Sequence, residues 1–279
     1  MRVVRAEQHQ AGWLGRVRLD FSAANNKTYI SHRRHHGPLL IQKPFYPSKQ
    51  ECHVYLIHPA GGVVGGDQLE VISHLDENTQ VLITTPGATK IYQHHQLHSK
   101  LHNRLTIAAN AQLHWLPQET ILFNEAKTSL TTELYVDADA SFHYWEIICL
   151  GLPASKEKFQ QGVLKQQLKI FKNSEALLIE NFTITDDSLL NTPWGLQGAS
   201  VFATYIAGFV PTFDIQVFCQ QLSEEENQYF CFTLVRGLLI GRYLGHSAEQ
   251  AKAVFTRLWI QLNQFMSDTT PSIPRIWNT

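Results

Sequence analysis

The chain is interrupted by turn residues too often to be mainly helical. Short runs rich in Val, Ile, Leu, Tyr, Phe and Thr recur between Gly, Pro, Asn and Asp: Val54–Ile57, Gln68–Ser73, Gln80–Thr84, Lys100–Ile107, Ser129–Val136, Ser141–Ile148, Val163–Phe171 and Ala176–Ile184. Runs of this kind read as β-strands. Several alternate polar and apolar residues, as Gln68-Leu69-Glu70-Val71-Ile72-Ser73 does, which suits a sheet with one buried face. The close, irregular turn signals favour an all-β body over alternating βα units. No internal repeat of fixed period and no low-complexity linker is visible, so the sequence predicts one domain over residues 1–279.

Such a body needs an interior, and the composition supplies one. Of 279 residues, 44% are hydrophobic and 17% charged. The charged share is below the roughly 25% of an average soluble domain, which excludes a disordered chain. A net charge of −1 gives bulk electrostatics no hold on nucleic acid or anionic lipid, so neither is expected as a partner. No apolar run approaches the roughly 20 residues that span a bilayer. The opening MRVVRAEQHQAGW lacks the apolar stretch of a signal peptide. A soluble, cytoplasmic protein is the expectation. Cys52, Cys149, Cys219 and Cys231 lie far apart without a CxxC pair, and are expected to be reduced, buried thiols.

Two helices are predicted near the C-terminus. One covers Asp214–Asn227, with Ile215, Phe218 and Leu222 at helical spacing. The other starts at Ser247-Ala248-Glu249-Gln250, a capping box in which the Gln250 side chain reaches back to the Ser247 amide. Behind it Val254, Phe255, Leu258, Trp259, Leu262 and Phe265 form one wide apolar stripe. A strand is expected around Cys231–Leu244, and an extended tail over Pro271–Thr279, where two prolines interrupt any helix.

Five segments stand out: His58–Asp67 (HPAGGVVGGD), Thr84–Tyr92 (TTPGATKIY), Leu116–Asn124 (LPQETILFN), Trp145–Ser155 (WEIICLGLPAS) and Pro274–Thr279 (PRIWNT). The first is Gly-rich, but it lacks GxxxxGK[ST] and leads into a strand, so a tight turn capped by Asp67 is favoured over a phosphate loop. The second has small hydroxyls and a lysine without a nucleophile-elbow context. Glu119 and Glu125 could be paired as acid and base only if the fold brought them together.

In this order and spacing, the five segments resemble those of the urease accessory protein UreD (UreH) family, over residues from about Trp13 to the end. Gly37–Leu39 and Gln42–Tyr46 resemble the family's early segment. The chain departs from the family pattern at Ala60, where Pro is usual, Leu152, where Arg is usual, and Lys156, where Gly is usual. The resemblance implies a mainly β fold, with strands wound in a stacked, β-helix-like arrangement and two helices. It implies a non-enzymatic scaffold that binds urease apoprotein and UreF, and through UreF the GTPase UreG. Nickel would pass through an internal tunnel to urease, in transit rather than as a tightly bound cofactor. A nickel store, or less readily an enzyme, is the alternative.

A conduit must offer donor atoms without holding the ion, which suits isolated carboxylates and water better than a cage. Acids set among apolar strand residues are the candidates: Asp67, Glu70, Glu146 and Glu180. Each could instead face solvent on a strand or be a buried, salt-bridged acid. His94, His95, His98 and His102 form a second metal candidate, against a solvated polar loop. Arg275 and Trp277 are candidates for a partner interface, against folding back on the second helix.

Overall fold

The structure is a computed structural model and describes residues 12–152, 155, 157–185, 188–210, 213–267 and 270–278. Lys156 and Thr279 lie outside the described residues, as do Pro153 and Ala154.

A hairpin opens the fold. Strand β1 (Leu14–Ala24) turns into β2 (Lys27–His36) at Asn25 and Asn26, both at positive φ (52° and 57°), a conformation asparagine tolerates. β3 (Leu40–Ile41) and β4 (Glu51–Ile57) complete the first coil. The next coil is β5 (Gln68–Leu75), β6 (Gln80–Thr84) and β7 (Thr89–Ile91). Another follows as β8 (Ser99–Ile107), β9 (Gln112–Trp115) and β10 (Thr120–Leu122), and then β11 (Lys127–Val136) with the long β12 (Ser141–Leu152). Each coil lies in parallel register on the last: β1, β5, β8, β11 and β14 (Val163–Lys172) in one stack, β4, β6, β9 and β12 in a second. β7, β10 and the end of β12 form a third. The body is a stacked β-solenoid.

The coils do repeat, contrary to the expectation from sequence. Stacked partners stand 32 positions apart (Gln68 and Lys100), then 29 (Lys100 and Ser129), then 36 (Ser129 and Lys165). Unequal loops hide the period. One sign of it is Asn78 and Asn110, both left-handed (φ 61° and 58°) at equivalent corners.

The rest of the chain adds antiparallel strands. Short β13 (Glu157–Lys158) folds back on the end of β12, and β15 (Glu175–Ile184) pairs with β14. β16 (Val201–Gly208) extends the second stack from β12, followed by β18 (Leu238–Gly245) and β17 (Phe230–Val235). The strand expected around Cys231–Leu244 is thus a hairpin, broken at Arg236 and Gly237, both at positive φ.

The single helix expected over Asp214–Asn227 is two. After a short α1 (Ser188–Asn191), α2 (Ile215–Cys219) is capped by Asp214, and α3 (Glu224–Tyr229) by a capping box of Ser223 and Glu226. The second cap starts a new helix where the apolar spacing alone reads as continuous. α4 (Ala248–Ser267) is the long one. Ser247 caps it by accepting the Gln250 amide (3.1 Å), but Gln250 does not reach back directly. The Tyr243 hydroxyl stands between, accepting from the Ser247 amide and donating to Gln250 Oε1. Pro271 and Pro274 end the helical run as expected, yet Arg275–Asn278 closes into a 3-10 turn rather than extending.

Two apolar layers result. Val17, Leu19, Phe21, Leu105 and Leu134 of the first sheet face Val54, Val81, Leu113 and Phe142 of the second across the coil interior. On the other side of the second sheet, Trp145, Ile147 and Tyr205 meet Val254, Phe255, Leu258, Trp259 and Leu262 of α4. Each such fully buried side chain contributes about 1.5–3 kcal/mol. Phe265, at the end of the expected stripe, is 48% exposed. Cys52 and Cys149 are buried as expected, whereas Cys219 is half-buried and Cys231 is exposed on the edge strand β17.

Candidate functional site

The period of a strand decides which β12 residues look inward. Trp145 and Ile147 face α4, so Tyr144 and Glu146 face the coil interior. Register carries the polar row across the second sheet, since Glu146 pairs with Thr204 of β16 and Thr204 with Arg242 of β18. The facing sheet supplies its own row of Asn103, Thr132, Leu168 and Glu180, on β8, β11, β14 and β15. Gln166 lies two residues from Leu168 on the same face. Apart from Leu168, these side chains form a polar seam between two apolar clusters. One cluster holds Leu168, Leu178 and Ile206; the other holds Ile148, Phe182 and Phe202.

Within the seam, Glu146 Oε2 accepts from the Tyr144 hydroxyl (3.0 Å) and from Gln166 Nε2 (2.5 Å). Burial pushes the Glu146 carboxyl above the usual carboxylate range, and the Gln166 and Tyr144 bonds pull it the other way. Burial, reinforced by Glu146, pushes the Tyr144 phenol well up. Asn103 Nδ2 donates to Thr132 Oγ1 (3.1 Å). Glu180 is ion-paired with Arg242 Nη2, while Arg242 Nη1 donates to Thr204 Oγ1 (2.8 Å).

Two cavities border this seam. One, of about 270 Å³, runs from His58, Gly62 and the Thr85–Lys90 loop past Asn103 and Gln118 to Glu146. The other, of about 550 Å³, is bordered by Glu146, Gln166, Glu180, Thr204 and Arg242. Glu146 lines both. Each volume exceeds the ~30 Å³ share of one water, and the polar atoms give water partners.

The four predicted acids therefore divide. Glu146 and Glu180 share one cavity. Asp67 sits buried at the turn before β5, its Oδ1 accepting the Trp13 amide (2.8 Å) and its Oδ2 the Val64 amide (3.0 Å). The Gly-rich segment is thus a strand-joining turn. Gly66 has φ +94°, and a Cβ on Gly65 would lie 2.4 Å from the Leu97 carbonyl oxygen. Glu70 lies on the outer face of the first sheet, ion-paired with Arg16 and in register with His102.

The histidine group divides too. His94 and His95 border a cavity of about 270 Å³ with Glu125 and Lys127. His94 Nδ1 accepts the Leu97 amide (2.9 Å). His98 is exposed, and a little burial with Lys127, Lys165 and Lys100 nearby lowers its pKa. His102 Nε2 lies 3.5 Å from Glu133 Oε2. Among the described residues, no three His, Cys, Asp or Glu side chains converge as a metal cage. At the C-terminus, Trp277 packs on Trp145 and Trp259 (ring centroids 5.3 and 5.9 Å), and its Nε1 donates to Thr84 Oγ1 (2.9 Å). The Arg275 guanidinium lies over the Phe45 ring (5.4 Å).

Sequence reading missed Arg242, Gln166, Tyr144 and a buried imidazole group. His53, His114 and His143 lie on the α4-facing side of the second sheet. Trp259 Nε1 donates to His114 Nδ1 (3.3 Å), and His143 bonds Tyr205 (2.7 Å) and Asn263 (3.3 Å). Burial and neighbouring His143 push His114 well below the usual imidazole value, and burial lowers His143 to about 3. Tyr144 could have been found as the same-face neighbour of Glu146, whereas Arg242 stands 62 positions from Glu180 and has no local signal.

The family model described as UreD urease accessory protein matches residues 14–278. A urease accessory protein UreD from Methylobacillus flagellatus is 36% identical over 271 residues, covering 96% of this chain and 95% of its own. One from an Enterobacter species is 35% identical over 98% of both chains, and one from Alcanivorax borkumensis is 33% identical over 99% of this chain and 95% of its own. No helix among the described residues is long and apolar enough to cross a membrane. With its strand-built solenoid and a match over almost its whole length, the chain belongs to the UreD family of urease accessory proteins.

Proposed function

We propose that this chain is a non-catalytic maturation factor that passes nickel to urease apoprotein through the polar seam inside its solenoid. Glu146, which borders both cavities, is the observation that carries the proposal. A hydrated divalent cation moving between the cavities would meet the oxygens of Glu146 and Glu180, with Tyr144, Gln166 and Thr204 beside them. Single carboxylates backed by neutral donors attract such an ion without caging it, and a conduit must release what it receives. In this reading the cargo is nickel in transit, the partners are urease apoprotein, UreF and, through UreF, the GTPase UreG, and the work is done in the cytoplasm. The names of the relatives support the urease connection, and the polar seam supports the proposed route.

The test is co-expression of urease and its other accessory proteins with this chain or its variants. Glu146→Leu and Glu180→Leu replace oxygens by dry methyls at the junction and beyond it. Urease activity should fall by about tenfold or more, the usual scale for residues that tune a metal site. Gel filtration should still show the accessory complex assembled. Full activation by both variants sinks the route.

A further inference from the structure

Arg242 is the cation already inside the seam. Its Nη2 is paired with Glu180 and its Nη1 is anchored on Thr204 Oγ1 at 2.8 Å, and both partners line the larger cavity. With Glu146 and Glu180 ionised, Arg242 leaves one uncompensated negative charge among the seam residues; without it there are two. Two unpaired carboxylates facing one cavity would attract a divalent cation more strongly than one and slow its release. The Arg242 and Glu180 side chains are 43% and 30% exposed, so water reaches the pair and it is held weakly. A guanidinium cannot lose its charge, but on its long stem it can swing to water.

We propose that Arg242 is a stand-in for the travelling ion. It neutralises Glu180 while the passage is empty, yields Glu180 when a divalent cation arrives, and expels that cation by returning. The inference rests on the conduit reading and adds its regulation. Arg242 is then a positioning residue that sets how long the cation stays. Thr204 fixes the swing, because it holds the arm of the guanidinium that Glu180 does not.

Nickel retention by the purified full-length chain tests this, with nickel chloride as the probe and equilibrium dialysis as the readout. Surface histidines bind nickel equally in every variant and cancel. Arg242→Gln should retain nickel roughly tenfold more tightly than the native chain, the scale of removing one like charge beside a partly screened cation. Thr204→Val, which loosens the guanidinium without deleting it, should move the same way by less. In the double variant Arg242→Gln/Glu180→Gln the gain should vanish. A folded Arg242→Gln chain that binds as the native chain does, or a gain that survives loss of Glu180, overturns the proposal. If Arg242→Gln does not fold, unchanged retention in Thr204→Val overturns it equally. The two readings fail separately. Full urease activation by Glu146→Leu and Glu180→Leu removes the conduit and Arg242's role with it. Their inactivity together with native retention in Arg242→Gln removes only the role of Arg242.

Discussion

Replacing Trp277 by alanine separates two roles for the C-terminal turn. The indole rests on Trp145 and Trp259 and ties Thr84, at the end of β6, to the last described turn of the chain. The ring is half-buried, which places its truncation near the low end of the 3–5 kcal/mol typical of aromatic-to-alanine changes, about 3 kcal/mol. About 1 kcal/mol of that is the hydrogen bond to Thr84. The Thr84 hydroxyl still donates to the Leu116 carbonyl (2.6 Å), so no buried donor is orphaned. For a chain of this size each kcal/mol lowers Tm by roughly 2–4 °C. Trp277→Ala should therefore melt about 6–12 °C early by circular dichroism. Trp277→Phe, which keeps most of the packing and loses the hydrogen bond, should melt only about 2–4 °C early. An unchanged Tm in Trp277→Ala with loss of partner binding would refute the argument and make Trp277 an interface anchor.

Two pH-dependent outcomes follow from the buried titrating groups. His143 is lowered to about 3, so its contribution to stability is present above the unfolded imidazole value near 6.5 and is lost as pH falls toward 3. At pH 5 the loss is about 2 kcal/mol. His143→Phe should melt earlier at neutral pH, having lost Tyr205 and Asn263 as partners, but with a flatter slope between pH 7 and 5; an equal slope would contradict the assignment. Glu146 has the opposite sign. Its raised carboxyl stabilises the fold at acid pH, and that contribution is lost as pH rises through the raised value. Both of its hydrogen bonds fall on Oε2, so the single amide oxygen of a glutamine in its place can keep them. Glu146→Gln should match the native Tm at acid pH and exceed it at pH 8, while activating urease poorly; a Tm below native at pH 8 would count against it.

The strands that sequence reading found were those with alternation and clean turn signals, such as β5, β8 and β14. β1 alternates as well, with Val17, Leu19 and Phe21 buried. Its partner β2 ends in His32-Arg33-Arg34-His35-His36, which does not read as strand, because an edge strand buries almost nothing. The Glu146–Glu180 pair was legible because an acid inside an apolar strand is costly and so needs a reason. Asp67 met the same criterion and turned out to hold two turn amides, since composition around a residue does not say which backbone groups need a partner. Arg242, Gln166 and the His53, His114 and His143 group were illegible for one reason. Stacked coils join residues through register, and the unequal loops that set the register leave little more than the corner asparagines Asn78 and Asn110 as a trace of the period.

The order of elements along the chain also matters while the protein is being made. α4 clothes a sheet whose strands all precede it. As the polypeptide leaves the ribosome, the wall carrying Trp145, Ala203 and Tyr205 emerges whole before the segment that covers it. A nascent chain stalled ahead of Ala248 would display that oily wall to water, prone to stick to its neighbours. For such a protein, the interval between making the last strand and docking the helix is when a holding chaperone would matter most.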